Sequence, residues 1–160
     1  MSTNPALGPI VGIYRLFARI ASLLQSPFLL AVRAYWGWQF LQTGLGKLHD
    51  LNRVTGFFAT LGIPFPHANA VFVALLEFAG GSFLIVGLGS RLMGFLLAAD
   101  MLVAYWTADR EALHAVFTDP GKFYNADPFT FLISSLLVFM FGAGVFSLDY
   151  LISRRFRSER

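Results

Sequence analysis

Four long apolar stretches dominate the pattern of hydrophobic and polar positions along the chain. They run from about Phe28 to Leu48, Ala68 to Leu88, Arg91 to Trp106 and Pro128 to Leu148. A helix needs about 20 mostly apolar residues to cross a bilayer core, so each stretch predicts a membrane span. Asp127 before Pro128 is a helix start signal, an N-cap acceptor followed by a proline that fits the first turn. The pattern predicts an all-α fold, a four-transmembrane-helix bundle.

The segment before the first span has a different pattern. Its apolar residues fall on one helical stripe, while Arg15 and Arg19 lie four residues apart on another face; the stripe consists of Ile10, Ile13, Tyr14, Phe17, Ile20 and Leu24. This predicts an amphipathic helix in the membrane interface, with its arginines toward lipid phosphates. We expect no cleaved signal peptide, because no charged region precedes Ile10 and the arginines interrupt the apolar run. The predicted organisation is an interfacial segment (residues 1–27), a membrane domain (28–148) and a basic tail (149–160).

Composition and charge place most of this chain in lipid. Hydrophobic residues make up 56% and charged residues 13%, whereas soluble domains carry about 25% charged residues. The chain has no cysteine, which excludes disulfides, thiolate metal ligands and dithiol chemistry.

The basic residues predict an orientation. Seven lie on the side of the termini and four on the other: Arg15, Arg19, Arg91, Arg154, Arg155, Arg157 and Arg160 against Lys47, Arg53, Arg110 and Lys122. Cytoplasmic loops carry the excess of basic residues, so we predict a multi-pass protein of the plasma (inner) membrane with both termini in the cytoplasm. The tail RRFRSER is expected to contact lipid, and we expect no nucleic-acid partner.

Arg33, Glu77 and Asp100 are the ionisable residues that lie well inside the predicted spans, several residues from their ends. Charges at this depth face a bundle interior, pair with one another or mark a functional path. Arg33 belongs to a helical stripe that continues through Gly37, Phe40, Gly44 and Lys47. A stripe of charge, glycine and aromatic residues is not typical of a lipid-facing surface. We therefore predict that it meets the other helices, and that its glycines permit close approach.

Two interpretations of these charges stay open. In the first, Arg33 neutralises Glu77 or Asp100 and thereby sets the helix register. In the second, the three residues line a polar pocket that binds a small molecule or moves protons. One arginine neutralises only one of two carboxylates, so we expect at least one of the two acids to be protonated, because burial disfavours the charged form.

Other cofactor sites are not evident in the sequence. The spacing of His49, His67 and His114 matches no compact metal site such as HExxH, and none of them lies in mid-span as a haem ligand would. There is no GxxxxGK[ST] phosphate loop and no GxGxxG after a strand. We expect no haem, flavin or metal site. The tryptophans, Trp36 among them, are interpreted mainly as packing or interface residues on which a quinone ring could also stack.

Several motifs together resemble the DoxX family. They are the stripe from Arg33 to Lys47, GFF from Gly56, LGIPFP from Leu61, ExxGG from Glu77 to Gly81, and GLGSR from Gly87 to Arg91. The resemblance runs from about Ser26 to Tyr150 and implies a bacterial or archaeal inner-membrane four-helix bundle. It also implies that Arg33, Lys47, Glu77, Arg91 and, less directly, Asp100 are the recurrent polar residues. The family is named for a membrane subunit associated with terminal quinol oxidation and thiosulfate:quinone oxidoreduction, and some relatives assemble with redox-defence proteins.

The leading functional hypothesis is a DoxX-like integral membrane protein of redox metabolism, a quinone-binding or quinone-linked oxidoreductase subunit. Arg33, Glu77 and Asp100 are its expected catalytic residues: Arg33 would hydrogen-bond a carbonyl oxygen, while a protonated Glu77 or Asp100 supplies a proton. The expected ligand-binding residues are Phe40, Gln39, Lys47 and Trp36. The alternative is a non-enzymatic membrane anchor or assembly subunit for a partner redox protein, and a homo-oligomer is a separate partner hypothesis. Transport of a small molecule or protons is third.

Overall fold

The structure, a computed structural model, describes residues 7–158 and, within them, the side chains of residues 11–156. The described chain is all-helical, which confirms the predicted fold class. In chain order the helices are α1 (Leu7–His49), α2 (Leu51–Thr60), α3 (Pro66–Val86), α4 (Ser90–Thr107), α5 (Arg110–His114), α6 (Pro120–Asn125), α7 (Pro128–Phe141) and α8 (Leu148–Ser158).

The four helices that contain the predicted spans pack around one core. α1 packs against α3 and α7, and α4 packs against α3 and α7. The core consists of Phe40, Leu84, Leu97, Ala98, Met101, Tyr105, Leu132 and Val138. Among the described residues, two helices are long and apolar enough to cross a bilayer, over Val11–His49 and Pro66–Val86. The count of four spans stays a prediction.

The fourth predicted span is shorter than expected. α7 ends at Phe141 rather than near Leu148, because Gly142 and Gly144 adopt φ angles of 76° and 72° that leave the helical conformation. Its 14 residues extend about 21 Å, less than a bilayer core of about 30 Å. The predicted start at Pro128 is confirmed, but the Asp127 side chain makes no capping hydrogen bond.

The N-terminal segment is helical as predicted, but it is not a separate helix. α1 continues through Pro27 without interruption, because a proline inside a helix removes one backbone hydrogen bond and need not end it. Both its apolar and its arginine faces are exposed from residue 11 to residue 25, apart from half-buried Ala18. The interfacial position therefore stays a prediction. Residues 1–6, the side chains of 7–10 and 157–158, and tail residues 159–160 lie outside the described residues.

Helices α1 and α3 approach each other at glycines. A Cβ atom on Gly44 would lie 2.8 Å from the Ala74 carbonyl oxygen, and one on Gly37 would lie 2.9 Å from the Gly81 carbonyl oxygen. Arg33, Gly37, Phe40 and Gly44 are all buried. The prediction that this stripe of α1 faces the other helices is therefore confirmed.

Asp149 connects α8 to the turn between α3 and α4. This end of the bundle is called the α8 end. Oδ1 of Asp149 accepts a hydrogen bond from the Gly89 N–H at 2.7 Å and its Oδ2 accepts one from the Ser90 N–H at 2.8 Å. Its own N–H donates to the Gly87 carbonyl oxygen at 2.9 Å. A carboxylate from α8 thus satisfies the first N–H groups of α4, which have no partner within their helix.

Replacing Asp149 with alanine should detach α8 from the α3–α4 turn. We expect a loss of about 1–2 kcal/mol of stability, the usual cost of removing a helix cap, and faster proteolysis within α8. Thermal unfolding and limited trypsin digestion of detergent-solubilised protein would measure both. Ser153→Ala is the control, because the Ser153 hydroxyl donates only within its own helix, to the Tyr150 carbonyl oxygen. Equal effects of the two substitutions would contradict the capping role of Asp149.

Candidate functional site

A cavity of about 650 Å³ lies at the opposite end of the bundle, the α2 end, between α1, α2, α3 and α4. Its walls are mostly apolar and include Val54, Phe57, Phe58, Leu61, Ile63, Val73, Met101 and Val103. Its polar side chains are Thr43, Lys47, Asp50, Arg53, Asn69, Glu77, Asp100 and Thr107. A volume of about 300–1,000 Å³ with apolar walls and few polar groups is typical of small-molecule sites.

An ion pair between Lys47 of α1 and Glu77 of α3 lies in the cavity wall. Lys47 Nζ lies 2.6 Å from Glu77 Oε1, and the two side chains are 30% and 3% exposed. Lys47 is one helical turn beyond Gly44, and Gly44 contacts α3 at Ala74 and Phe78, on either side of Glu77. The close approach of the two backbones therefore brings the ammonium group within reach of the buried carboxylate.

Two carboxyl oxygens at this cavity have no hydrogen-bond partner in the part of the chain that the structure describes. They are Glu77 Oε2 and Asp100 Oδ2, and both atoms are buried. Buried polar atoms are normally hydrogen-bonded, and leaving one unpaired costs about 1–3 kcal/mol. Both residues line the cavity, so a molecule inside it can supply the missing partners.

Arg33 lies at the α8 end and not in this cavity. Its side chain is fully buried; Nη1 donates to the Leu84 carbonyl oxygen at 3.2 Å, and Nη2 donates to the Phe146 carbonyl oxygen at 2.6 Å. The prediction that Arg33 pairs with Glu77 or Asp100 is therefore wrong. Arg33 precedes Lys47 by 14 residues, which is about 21 Å along α1. There it donates to one carbonyl group near the end of α3, at Leu84, and to one in the segment between α7 and α8, at Phe146.

Three of the predicted ligand-binding residues do not line the cavity either. Phe40 is fully buried in the core, with its ring centroid 4.7 Å from that of Phe131. Trp36 packs edge-on against the same ring at 5.1 Å. The Gln39 backbone carbonyl accepts a hydrogen bond from the Thr43 hydroxyl. Of the seven predicted site residues, the cavity brings together Lys47, Glu77 and Asp100.

Helix α2 and its contribution to the cavity were missed at the level of sequence. The Arg53 N–H donates to Asp50 Oδ1 at 3.1 Å, so Asp50 is an N-cap. The following apolar residues recur with the helical period, at Leu51, Val54, Phe57, Phe58 and Leu61. These two signals together predict a short amphipathic helix. They are easily overlooked between two much stronger apolar stretches.

Comparisons with known proteins place the chain in a family. The DoxX family model matches residues 28–110, a range that contains every residue lining the cavity. A protein of Bacillus subtilis (strain 168) named "Putative oxidoreductase CatD" is 28% identical over 120 residues, which cover 75% of this chain and 83% of that protein. No solved structure matches the chain. The family match spans more than half of the chain, which therefore belongs to the DoxX family of membrane-associated proteins.

Proposed function

We propose that this protein is a membrane component of redox metabolism that binds a quinone head group in the cavity at the α2 end. The observation that carries the proposal is the pair of buried carboxyl oxygens, on Glu77 and Asp100, that lack partners inside a mostly apolar cavity. The name of the Bacillus subtilis relative describes an oxidoreductase, which supports a redox role. Lys47, Glu77 and Asp100 are the proposed polar contacts, and Arg33 is not among them.

The lining of the cavity suits the chemistry of a quinone. A quinone head group is a flat apolar ring with two carbonyl oxygens, and Phe57 and Phe58 offer aromatic surface for such a ring. The Lys47 ammonium group and a protonated carboxylic acid are hydrogen-bond donors for the carbonyl oxygens. Donors of this kind are stronger in a site of low dielectric than in water.

We propose a multi-pass topology for the same protein, with both termini in the cytoplasm. The support is the excess of basic residues on the side of the termini. The cavity would then lie toward the external face of the membrane.

A second candidate function is a non-enzymatic anchor or assembly subunit for a partner redox protein. The observation that favours it is the surface of α1 before Pro27, where large apolar side chains such as Ile13, Tyr14 and Phe17 are exposed by 67–71%. This role needs no ligand in the cavity. A stoichiometric protein partner after gentle solubilisation, without a quinone response, would favour it.

The Lys47 ammonium group should strengthen quinone binding. Added decylubiquinone should raise the unfolding temperature of the purified protein in mild detergent. Lys47→Met should weaken its binding by about tenfold to a hundredfold, because a hydrogen bond from a charged group contributes about 1.5–3 kcal/mol. Thermal shift and quenching of the intrinsic tryptophan fluorescence would measure the affinity.

Two further variants serve as controls for this experiment. Lys122→Met removes the same side chain from an exposed position outside the cavity and should bind decylubiquinone like the wild type. Lys47→Met leaves the buried Glu77 carboxylate without its partner, so the double variant Lys47→Met/Glu77→Gln removes both charges and restores folding if the single variant is unstable. The proposal fails if the wild type copurifies with no quinone and decylubiquinone changes no unfolding temperature.

A further inference from the structure

Asp100 differs from Glu77 in having no ion-pair partner. Lys47 is bonded to Glu77 Oε1, whereas Asp100 takes part in no salt bridge among the described residues. Asp100 lies near the middle of α4, its Oδ2 is buried without a partner, and it lines the cavity. Besides the exposed Asp50, the same cavity therefore holds one carboxyl group with a fixed counter-ion and one without.

The charges around Asp100 come from three elements. Glu77 faces the cavity from α3, Lys47 from α1, and Asp50 and Arg53 from the start of α2. Helix α7, which packs against α4, carries no ionisable side chain. The charged groups of α5 follow the end of α4 and do not line the cavity. Arg53 and Asp50 are exposed, so water screens them more than the buried Lys47–Glu77 pair.

A buried carboxylate without a counter-ion takes up a proton in preference to remaining charged. We infer that Asp100 is the group whose protonation is linked to binding of the ligand, while the Lys47–Glu77 pair keeps its charges and positions the ligand. This inference rests on the proposed function, because the ligand is a quinone. It separates two carboxyl groups that the sequence presented as equivalent.

The proton balance distinguishes the two redox forms of the ligand. Protonated Asp100 donates its O–H to a carbonyl oxygen of the oxidised quinone, and no covalent bond breaks. The hydroxyl of a reduced quinol donates a hydrogen bond to deprotonated Asp100, whose own proton has passed to water at the exposed rim beside Asp50 and Arg53. The oxidised form therefore selects protonated Asp100, and the reduced form also accommodates the carboxylate.

The dissociation constant of decylubiquinone should consequently depend on pH. As pH rises through the titration of Asp100, the affinity of the wild type should fall by up to about tenfold per pH unit, the slope for one linked proton. The affinity of the reduced decylubiquinol should not fall. Asp100→Asn retains an N–H donor at every pH, so it should bind the oxidised form with an affinity independent of pH.

Asp109→Asn is the matched control. Asp109 lies just beyond the same helix and outside the cavity lining, and burial and, to a smaller extent, Asp127 raise the pKa of its carboxyl group. Its replacement should leave the pH dependence of decylubiquinone binding as in the wild type. Asp100→Ser, also neutral, serves the same comparison if Asp100→Asn does not fold.

An infrared measurement tests the protonation of Asp100 without any ligand. The carbonyl stretching band of a protonated carboxylic acid should be present in the wild type and in Asp109→Asn, and it should lose the Asp100 contribution in Asp100→Asn. If the wild type binds decylubiquinone and Asp100→Asn shows the same pH dependence as the wild type, the inference about Asp100 is wrong. The proposed function would still stand. Absence of decylubiquinone binding at every pH would overturn the proposed function, and an infrared band unaffected by Asp100→Asn would overturn the assignment of the proton.

Discussion

Gly44→Ala should lower the stability of the protein by about 2–3 kcal/mol, near the upper end of the usual cost of overpacking. The added Cβ atom would lie 2.8 Å from the Ala74 carbonyl oxygen and from Phe78 Cα, and closer still to the Phe78 backbone nitrogen. These are backbone atoms of α3, which cannot rotate away as a side chain can. Helices α1 and α3 would have to separate, and Lys47 would move away from Glu77. Thermal unfolding in detergent would measure the loss of stability.

Gly46→Ala provides the control within the same helix. Nothing lies within 4 Å of a Cβ atom at Gly46. Alanine has a higher helix propensity than glycine, so this substitution should be neutral or stabilising by up to about 1 kcal/mol. Equal destabilisation by the two substitutions would show that the contact between α1 and α3 is not as close as described. The comparison isolates the contact from helix propensity.

Arg33→Met should cost about 3 kcal/mol and leave quinone binding intact. The substitution removes two hydrogen bonds from a charged donor, each contributing about 1.5–3 kcal/mol, and leaves the Leu84 and Phe146 carbonyl oxygens without that donor. Part of the loss is recovered because the guanidinium group no longer has to be buried. Arg33 lies outside the cavity lining, so the decylubiquinone affinity of the folded fraction should not change. Thermal unfolding and ligand titration of the same sample would measure both quantities.

Arg91→Met is the matched control for this substitution. Arg91 lies at the same end of the bundle but is exposed, so its loss should change stability by less than about 0.5 kcal/mol. A stable Arg33→Met variant that had lost decylubiquinone binding would contradict the arrangement described here. Arg33 would then belong to the ligand site, as the sequence predicts.

Gly44→Ala and Arg33→Met act at two separate polar centres of one bundle. At the α8 end, Arg33 and Asp149 satisfy backbone groups at the ends of α3 and α4. At the α2 end, Lys47 pairs with Glu77 and two carboxyl oxygens lack partners. Arg33 Nε at the first end is also buried without a partner, but the other guanidinium nitrogens of Arg33 bond to backbone, whereas the proposed ligand contacts lie at the second end. Variants at the two ends should therefore separate stability from binding.

The sequence by itself determined the helical fold, the starts of α4 and α7 to within one residue, and the face of α1 that meets other helices. Helical periodicity and the cost of burying charge in lipid are local properties, so they can be read from neighbouring residues. The stripe of Arg33, Gly37, Phe40 and Gly44 is buried for that reason. The same reasoning placed Glu77 and Asp100 inside the bundle, where both line the cavity.

Only the tertiary structure decided which charges meet. Arg33 and Lys47 lie on the same face of α1, and periodicity cannot distinguish them as partners for Glu77. The choice depends on the relative height of α1 and α3, which the backbone contact at Gly44 sets by placing Lys47 beside Glu77. The end of α7 at Phe141 and the position of α2 over the cavity also depend on packing between distant segments. Such pairing depends on how far one helix is shifted along the other and on how closely their backbones approach. Neither quantity can be read from a single stretch of the chain.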